Sequence, residues 1–271
     1  MSLAVFLAQH ADVIEVRLER VRGSAPRDTG TVMFVAASSV HGTIGGGQLE
    51  YMAIDKARTM LRAGLGSAEM DVPLGPEIGQ CCGGRVVASL SWMSEEARAA
   101  AVEADEVARS NAPHVYILGA GHVGRALTDL FQHLPVRCIL IDGRQAELDL
   151  SKAKVEKRLS VLTEMDVRAA PEGSAFIVLT HDHALDFLLA SEALARGDAA
   201  YVGMIGSATK RAKFAAFCRA EAPEISVDAL VCPIGANGSR DKRPEVIAAF
   251  VAAEVMSKLT APAHQFKETT D

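Results

Sequence analysis

The sequence predicts an α/β protein with a mixed α/β domain at the N-terminus and a domain built on a parallel sheet at the C-terminus. In the second half of the chain, short apolar β-branched segments alternate with segments of helical periodicity. In the first half, strands alternate apolar and polar residues, and glycine-rich loops separate them. The predicted division is an N-terminal domain over residues 1–93, a helical connector over 94–113, a C-terminal domain over 114–260 and a flexible tail over 261–271.

The N-terminal domain is predicted to hold four strands and a helix. In the first strand Ile14, Val16 and Leu18 share one face, and charged residues occupy the other, as in a half-buried strand. The four strands cover residues 13–21, 31–37, 70–74 and 85–93, and apolar residues at helical spacing cover 49–63.

The C-terminal domain repeats strand and helix. Its strands are apolar on both faces, which is typical of a parallel sheet covered by helices on both sides. The predicted strands cover residues 115–118, 136–141, 175–179, 201–205 and 230–232, and the predicted helices cover 123–134, 184–195, 209–222 and 244–259.

Composition restricts the function classes. The chain of 271 residues has 28 basic and 34 acidic side chains, hence a net charge of −6. This balance argues against a broad nucleic-acid or anionic-membrane footprint but leaves room for a local basic pocket, and we expect neither a nucleic acid nor a membrane as a partner. The sequence shows no secretory leader and no apolar run of the about 18 residues that a membrane helix needs. We therefore expect a cytoplasmic protein whose five cysteines are reduced.

A glycine fingerprint opens the C-terminal domain. Gly119, Gly121 and Gly124, with His122 among them, follow a predicted strand and begin a predicted helix, and Asp142 ends the next strand. This is the full context of a phosphate-binding turn in a Rossmann-like domain, with the acid placed for a ribose hydroxyl. The alternative is a structural turn without a ligand.

Polar residues follow two later strands of the parallel sheet, where ligands of such sheets bind. His181 and Asp182 come after the strand over residues 175–179. They either contact a cofactor or serve as loop and cap groups. A metal site formed by His181, His183 and Asp186 is a weaker alternative, because nothing in the sequence fixes its geometry.

Ser207 and Lys210 follow the strand over residues 201–205. Lys210 is suited to attract a phosphate, and Ser207 is a good N-cap. The alternative is a capped helix with a solvated basic turn.

Two adjacent thiols stand in a loop of small residues. Gln80, Cys81, Cys82 and Gly83 lie between further glycines. Neighbouring cysteines are poorly placed for a mutual disulfide, and the spacing of a zinc site is absent. One of these thiols can ligate a soft metal, accept sulfur or act as a nucleophile, or both are small buried residues.

Ordered motifs give a resemblance that covers nearly the whole chain, from about residue 23 to 254. The motifs are Gly-Ser-Ala-Pro-Arg at 23–27, the run over 42–50, Gly-Gln-Cys-Cys-Gly-Gly at 79–84, the glycine fingerprint, Thr-His-Asp-His at 180–183 and the run over 201–207. In this the sequence resembles the XdhC/CoxI family of xanthine dehydrogenase accessory proteins.

The resemblance implies a homodimeric accessory protein that binds molybdenum cofactor (molybdopterin). It implies that the protein supports sulfuration of this cofactor by a cysteine desulfurase and delivers it to apo xanthine dehydrogenase or a related molybdenum hydroxylase. Cys81 or Cys82 is then a possible molybdenum ligand, and the fingerprint holds the phosphate end. The candidate cofactor-binding residues are Gln80, Cys81, Cys82, Gly83, Gly119, Gly121, His122, Gly124, Asp142, His181, Asp182, Ser207 and Lys210.

Two other functions remain open. One is an NAD(P)-dependent oxidoreductase in which His181 or His183 donates a proton. The other is a redox or nucleotide sensor in which Cys81 and Cys82 oxidise. A thiol titration under mild oxidant and a titration with NADH separate the three functions.

Overall fold

The computed structural model describes residues 1–75, 83–236 and 238–261, so most of the predicted flexible tail lies outside the described residues. It confirms the α/β class. The chain divides into two compact units, Met1–Ala108 and Arg109–Asp271. The boundary between them falls inside a helix, Glu95–Ser110, within the segment predicted as a connector.

The N-terminal unit is built on an antiparallel sheet. Its elements in chain order are α1 (Leu3–Gln9), β1 (Ile14–Arg22), β2 (Val32–Val35), β3 (Val40–Gly42), α2 (Gly47–Ala63), β4 (Ser67–Pro73), β5 (Arg85–Trp92) and α3 (Glu95–Ser110). The strand order is β3-β2-β1-β5-β4, and each neighbouring pair is antiparallel. The predicted strands and the predicted helix are all present. The sequence analysis missed α1 and β3, which are too short to show a clear period.

Helices cover both faces of this sheet. On one face, Leu49 and Met60 of α2 are buried with the inward residues of β1. On the other face, Phe6 of α1 packs with Phe34 of β2 and with the first half of α3. Arg98 of α3 donates hydrogen bonds to the carbonyl oxygens of His10 (2.8 Å) and Ala11 (3.1 Å), which fix the helix to this unit.

A bulge interrupts β1. The register with β5 shifts by one residue between Leu18 and Arg20, so Glu19 is the extra residue. Because side chains alternate along a strand, the bulge reverses their alternation. Val21 therefore packs in the core with Leu18. Arg20 and Arg22 lie on the face away from α2.

The C-terminal unit is built on a parallel sheet. Its elements in chain order are β6 (His114–Leu118), α4 (His122–Phe131), β7 (Arg137–Asp142), α5 (Gln145–Asp149), β8 (Glu156–Leu159), α6 (Thr163–Arg168), β9 (Ala175–Val178), α7 (His183–Ala195), β10 (Tyr201–Met204), α8 (Ala208–Glu221), β11 (Leu230–Val231) and α9 (Pro244–Leu259). The strand order is β11-β10-β9-β6-β7-β8, and all neighbours are parallel.

This order is that of the dinucleotide-binding Rossmann fold, whose strand order reverses beside the first strand. Here the reversal lies between β6 and β9, so the loops that follow these two strands border the expected ligand crevice. Helices α4 and α9 cover one face, and α6, α7 and α8 cover the other. None of the helices in the described residues combines the length and apolar character that a membrane-spanning helix requires.

Candidate functional site

Glycine-rich loops of the N-terminal unit pack together beside the described ends of the cysteine segment. Gly83 forms an isolated parallel β-bridge with Ser24. The amide of Leu74 donates to the carbonyl oxygen of Gly84 (2.7 Å), and the amide of Gly83 donates to that of Leu74 (2.8 Å). A Cβ atom at Gly84 would lie 2.2 Å from the carbonyl oxygen of Ser24, so only glycine permits this approach.

A second contact adds the loop over residues 42–47 to this group. A Cβ atom at Gly45 would lie 2.6 Å from the side chain of Pro26. Residues 23–27 therefore contact the loop over 42–47 on one side and Gly84 on the other. The structure thus brings together described parts of three motifs that are far apart in the sequence.

Glu50 of α2 holds the loop over residues 42–47 in place. Its carboxylate accepts hydrogen bonds from the hydroxyl of Thr43 and from the amides of Ile44 and Gly46, the last two at 3.0 Å. Burial opposes ionisation of Glu50, but these hydrogen bonds keep its pKa below the ordinary value. The carboxylate of Glu50 thus lies where the backbone amides of this glycine-rich loop would otherwise bind an external anion.

Gln80 and the two thiol residues Cys81 and Cys82 lie outside the described residues, and their roles stay predictions. The described cysteines are poor candidates for reactive thiols. Cys138 and Cys218 are core residues that are 6% and 2% exposed. Burial raises the pKa of the Cys138 thiol to about 12 and also raises that of Cys218.

The glycine fingerprint forms the loop between β6 and α4. Gly119 has a φ of 127°, and a Cβ atom there would lie 2.4 Å from the carbonyl oxygen of Leu179, after β9. A Cβ atom at Gly124 would lie 2.0 Å from the carbonyl oxygen of Gly119. These are the tight turn and the close helix–strand packing that the fingerprint predicts.

Gly121 differs from the other two glycines of the fingerprint. Nothing lies within 4 Å of a Cβ atom placed on it, so there is open space beside its backbone. Gly121 is the N-cap of α4, and no side chain caps this helix. His122, the first helical residue, is exposed. The first amides of α4 are therefore available to an anion.

Asp142 is hydrogen-bonded within the protein. One oxygen accepts from the amide of Ala120 at 2.8 Å. The carboxylate also accepts from the amide and guanidinium of Arg144, at 2.9–3.0 Å. Burial opposes ionisation, but these bonds keep the pKa of Asp142 below its ordinary value. Asp142 thus fixes the glycine loop, and Arg144 lies at the end of β7 where a ribose would approach.

Asp186 and Lys210 form a buried ion pair that the sequence analysis missed. The Asp186 side chain is 1% exposed and that of Lys210 is 11% exposed. The second oxygen of Asp186 accepts from the amide and hydroxyl of Thr180, both at 2.8 Å. The Lys210 ammonium, predicted to attract a phosphate, is thus paired with Asp186 and links the first turns of α7 and α8.

The other predicted residues of these loops lie at helix starts. Asp182 caps α7 by accepting from the amides of Ala184 (2.7 Å) and Leu185 (3.2 Å), and these bonds lower its pKa. Ser207 caps α8, as predicted. His181 is exposed beside Asp182. Among the described residues, no cluster of three or more His, Cys, Asp or Glu side chains is placed to hold a metal ion.

A buried tyrosine is a further feature that the sequence analysis missed. The hydroxyl of Tyr201 donates to Glu254 of α9 at 3.0 Å, and the amide of Gly235 donates to the same oxygen at 3.1 Å. Burial raises the pKa of Tyr201 above its ordinary value, with the charge of Glu254 acting in the same direction. Glu254 thereby fixes the loop after β11. Its signal in the sequence is an acid within a strongly apolar helix.

Two family models match the chain, one within each of the two compact units. The family model described as the XdhC Rossmann domain matches residues 115–255, more than half of the chain. A second model, described as the XdhC and CoxI family, matches residues 6–69. The chain therefore belongs to the XdhC family, and the predicted resemblance is confirmed. The cysteine segment lies between the two matched ranges.

One solved structure shares the fold over nearly the full length of both chains. It is described as a xanthine dehydrogenase from Bacillus halodurans and covers 99% of this chain and 98% of its own, with a TM-score of 0.79 and 14% sequence identity. No curated protein matches the sequence at a significant level.

Proposed function

We propose that this chain is an accessory protein that binds molybdenum cofactor, supports its sulfuration by a cysteine desulfurase and delivers it to apo xanthine dehydrogenase or a related molybdenum hydroxylase. Membership of the XdhC family supports the association with xanthine dehydrogenase maturation. In this proposal the chain is a cytoplasmic, homodimeric cofactor carrier rather than a stand-alone enzyme.

The observation that carries the proposal is the grouping of glycine-rich loops beside the ends of the cysteine segment. Gly84 approaches Ser24 so closely that no side chain fits between them. Gly45 of the loop over residues 42–47 packs against Pro26 of the same connection, and Glu50 holds that loop in place. The segment that carries Cys81 and Cys82 is therefore joined to a rigid base, as a ligand-holding loop requires. Thiolates are suited to a soft metal centre.

The N-terminus of α4 supports the phosphate part of the proposal. Its first amides have no capping side chain, and the space beside Gly121 is open. Backbone amides at a helix start favour a phosphate through hydrogen bonds and the helix dipole. The molybdenum cofactor supplies the metal chemistry of the target enzyme, whereas this chain's residues bind, orient and shield it.

Cofactor retention tests the proposal. The full chain is purified from a molybdenum-replete host, and its molybdenum and pterin content are measured. We expect Cys81→Ser/Cys82→Ser to lose cofactor and to fail in activating apo xanthine dehydrogenase. Cys218→Ala removes a thiol that is 2% exposed and is expected to retain cofactor. Unchanged retention and activation in the double variant would refute the role of the thiols.

The strand order of the C-terminal sheet is that of dinucleotide-binding Rossmann folds, and it favours one second function, that of an NAD(P)-dependent oxidoreductase. Fluorescence titration with NADH distinguishes it. Tight binding accompanied by turnover of NADH would favour the oxidoreductase, whereas binding without turnover leaves the carrier function intact and assigns a nucleotide to this unit.

A further inference from the structure

A polar cleft lies on the N-terminal sheet, on the face away from α2. It encloses about 260 Å³ and is lined by Arg20, Arg22, Asp71, Arg85 and Val87. These residues come from three adjacent strands, β1, β5 and β4. After the bulge in β1, both arginines point outward on the same face of the sheet.

The cleft carries an excess of positive charge. Arg85 forms two hydrogen bonds with Asp71, at 2.7 and 2.8 Å. Among the described residues, Arg20 and Arg22 have no ion-pair partner. Three guanidinium groups thus face one carboxylate. The hydrogen bonds from Arg85 lower the pKa of Asp71, and the charges of Arg20 and Arg22 act in the same direction.

The register makes this excess unfavourable in the absence of an anion. Arg22 stands directly opposite Arg85 in the antiparallel pair β1–β5, and like charges in that position repel. The acids nearest on this face do not relieve it. Glu19 accepts from Ser89 at 2.6 Å, and Glu69 stands opposite Ser89 in the β4–β5 register, both further along the sheet. Among the described residues, therefore, the positive charges of Arg20 and Arg22 in the cleft are not balanced by a carboxylate.

The cleft lies at the end of the sheet that carries the cysteine segment. Arg85 directly follows Gly84, and Arg22 directly precedes Gly23. A Cβ atom at Gly84 would lie 2.8 Å from the carbonyl oxygen of Arg22. The arginines thus stand beside the point where the segment with Cys81 and Cys82 rejoins the sheet.

We propose that this cleft binds the dianion of a phosphate monoester. Arginine forks match the oxygens of such a group and bind it with two hydrogen bonds each. That the monoester is the phosphate of the bound cofactor rests on the proposed function, whereas anion binding by the cleft does not. The cleft and the N-terminus of α4 are then rival holders of that phosphate.

Calorimetric titration of the full chain at low ionic strength tests the site, with inorganic phosphate and phenyl phosphate as the probes. We expect Arg20→Gln/Arg22→Gln to weaken binding of both probes by about tenfold or more. Asp71→Asn removes the competing carboxylate and is expected to tighten binding by about threefold. The control Lys56→Gln/Arg62→Gln removes the same charge from exposed positions of α2 and is expected to bind as the wild type does.

Gly121→Val tests the rival site, because a side chain there would occupy the space open to a ligand of α4. Unchanged affinity in Arg20→Gln/Arg22→Gln, or an equal loss in the lysine–arginine control, would overturn the cleft site. Loss of binding in Gly121→Val alone would do the same and would place the phosphate at α4. Phosphate binding at the cleft in a chain that never retains cofactor would instead refute the proposed function and leave the cleft standing.

Discussion

Replacing Glu50 by alanine removes the one acceptor that three donors of residues 43–46 share. A hydrogen bond to a charged acceptor contributes about 1.5–3 kcal/mol. Water replaces part of the loss at this half-buried position, and bonds to one oxygen are not additive. We therefore expect Glu50→Ala to lower the free energy of unfolding of the N-terminal unit by about 3 kcal/mol.

Urea unfolding followed by tryptophan fluorescence measures this loss. Trp92, at the end of β5, is the single tryptophan and so reports on the N-terminal unit. With an m-value of about 2 kcal/mol per molar urea, the midpoint falls by about 1.5 M. Asp55→Ala, an exposed acid on the same helix, is the control and is expected to change stability by less than about 0.5 kcal/mol. Equal midpoints for the two variants would refute the reasoning.

The pKa of Glu50 also predicts how the stability of the N-terminal unit depends on pH. Because the folded-state pKa of Glu50 lies below its ordinary value of 4.5, its ionised form stabilises the folded state at higher pH. The stability difference between wild type and Glu50→Gln should be constant at neutral pH and should shrink as the pH falls below 4.5 and through the folded-state pKa. A difference that grows on acidification would contradict the assigned hydrogen bonds.

The remaining predictions concern stability during urea unfolding, which is read by far-UV circular dichroism for the C-terminal unit and by tryptophan fluorescence for the N-terminal unit. Gly119→Ala, which forces a Cβ atom to 2.4 Å from a carbonyl oxygen, should destabilise the C-terminal unit by about 3 kcal/mol, while Gly121→Ala should be near neutral; equal effects would contradict the loop geometry. Lys210→Met should lower the free energy of unfolding by about 3 kcal/mol, because the Asp186 charge stays buried without its partner. Adding Asp186→Asn should restore a large part of this loss, and a double variant without such restoration would argue against the ion pair. Gly84→Ala should lower the tryptophan-reported midpoint by about 1 M; an unchanged midpoint would refute the close approach at that glycine.

Much of the fold follows from sequence periodicity. In the C-terminal unit, β6, β7, β9 and β10 are buried on both faces and so appear as unbroken apolar runs. Strand β8 escaped detection because it lies at the sheet edge and has the sequence Glu-Lys-Arg-Leu. In β1 the alternation breaks at Glu19, but whether such a break marks a bulge or a strand end depends on the partner strand, which a single segment does not show.

The site was predicted in part. The roles of Gly119 and Gly124 follow from local chain geometry, which a short motif encodes. The pairing of Asp186 with Lys210 depends on two loops that meet only after the strands are ordered in the sheet. Sequence analysis therefore assigned Lys210 to a ligand, whereas its partner is a residue 24 positions away.

Glu19, the extra residue in β1, affects the direction of the strand more than the choice of side chains that the strand exposes. A chain lacking Glu19 would alternate inward and outward side chains without interruption from Ile14 to Arg22, and the same arginines would still point to solvent. Bulges bend a strand and increase its right-handed twist, so the three residues after the bulge, which still pair with β5, run at an angle to the first part of the strand. The insertion thereby sets the direction in which β1 runs into residues 23–27, which contact Gly84.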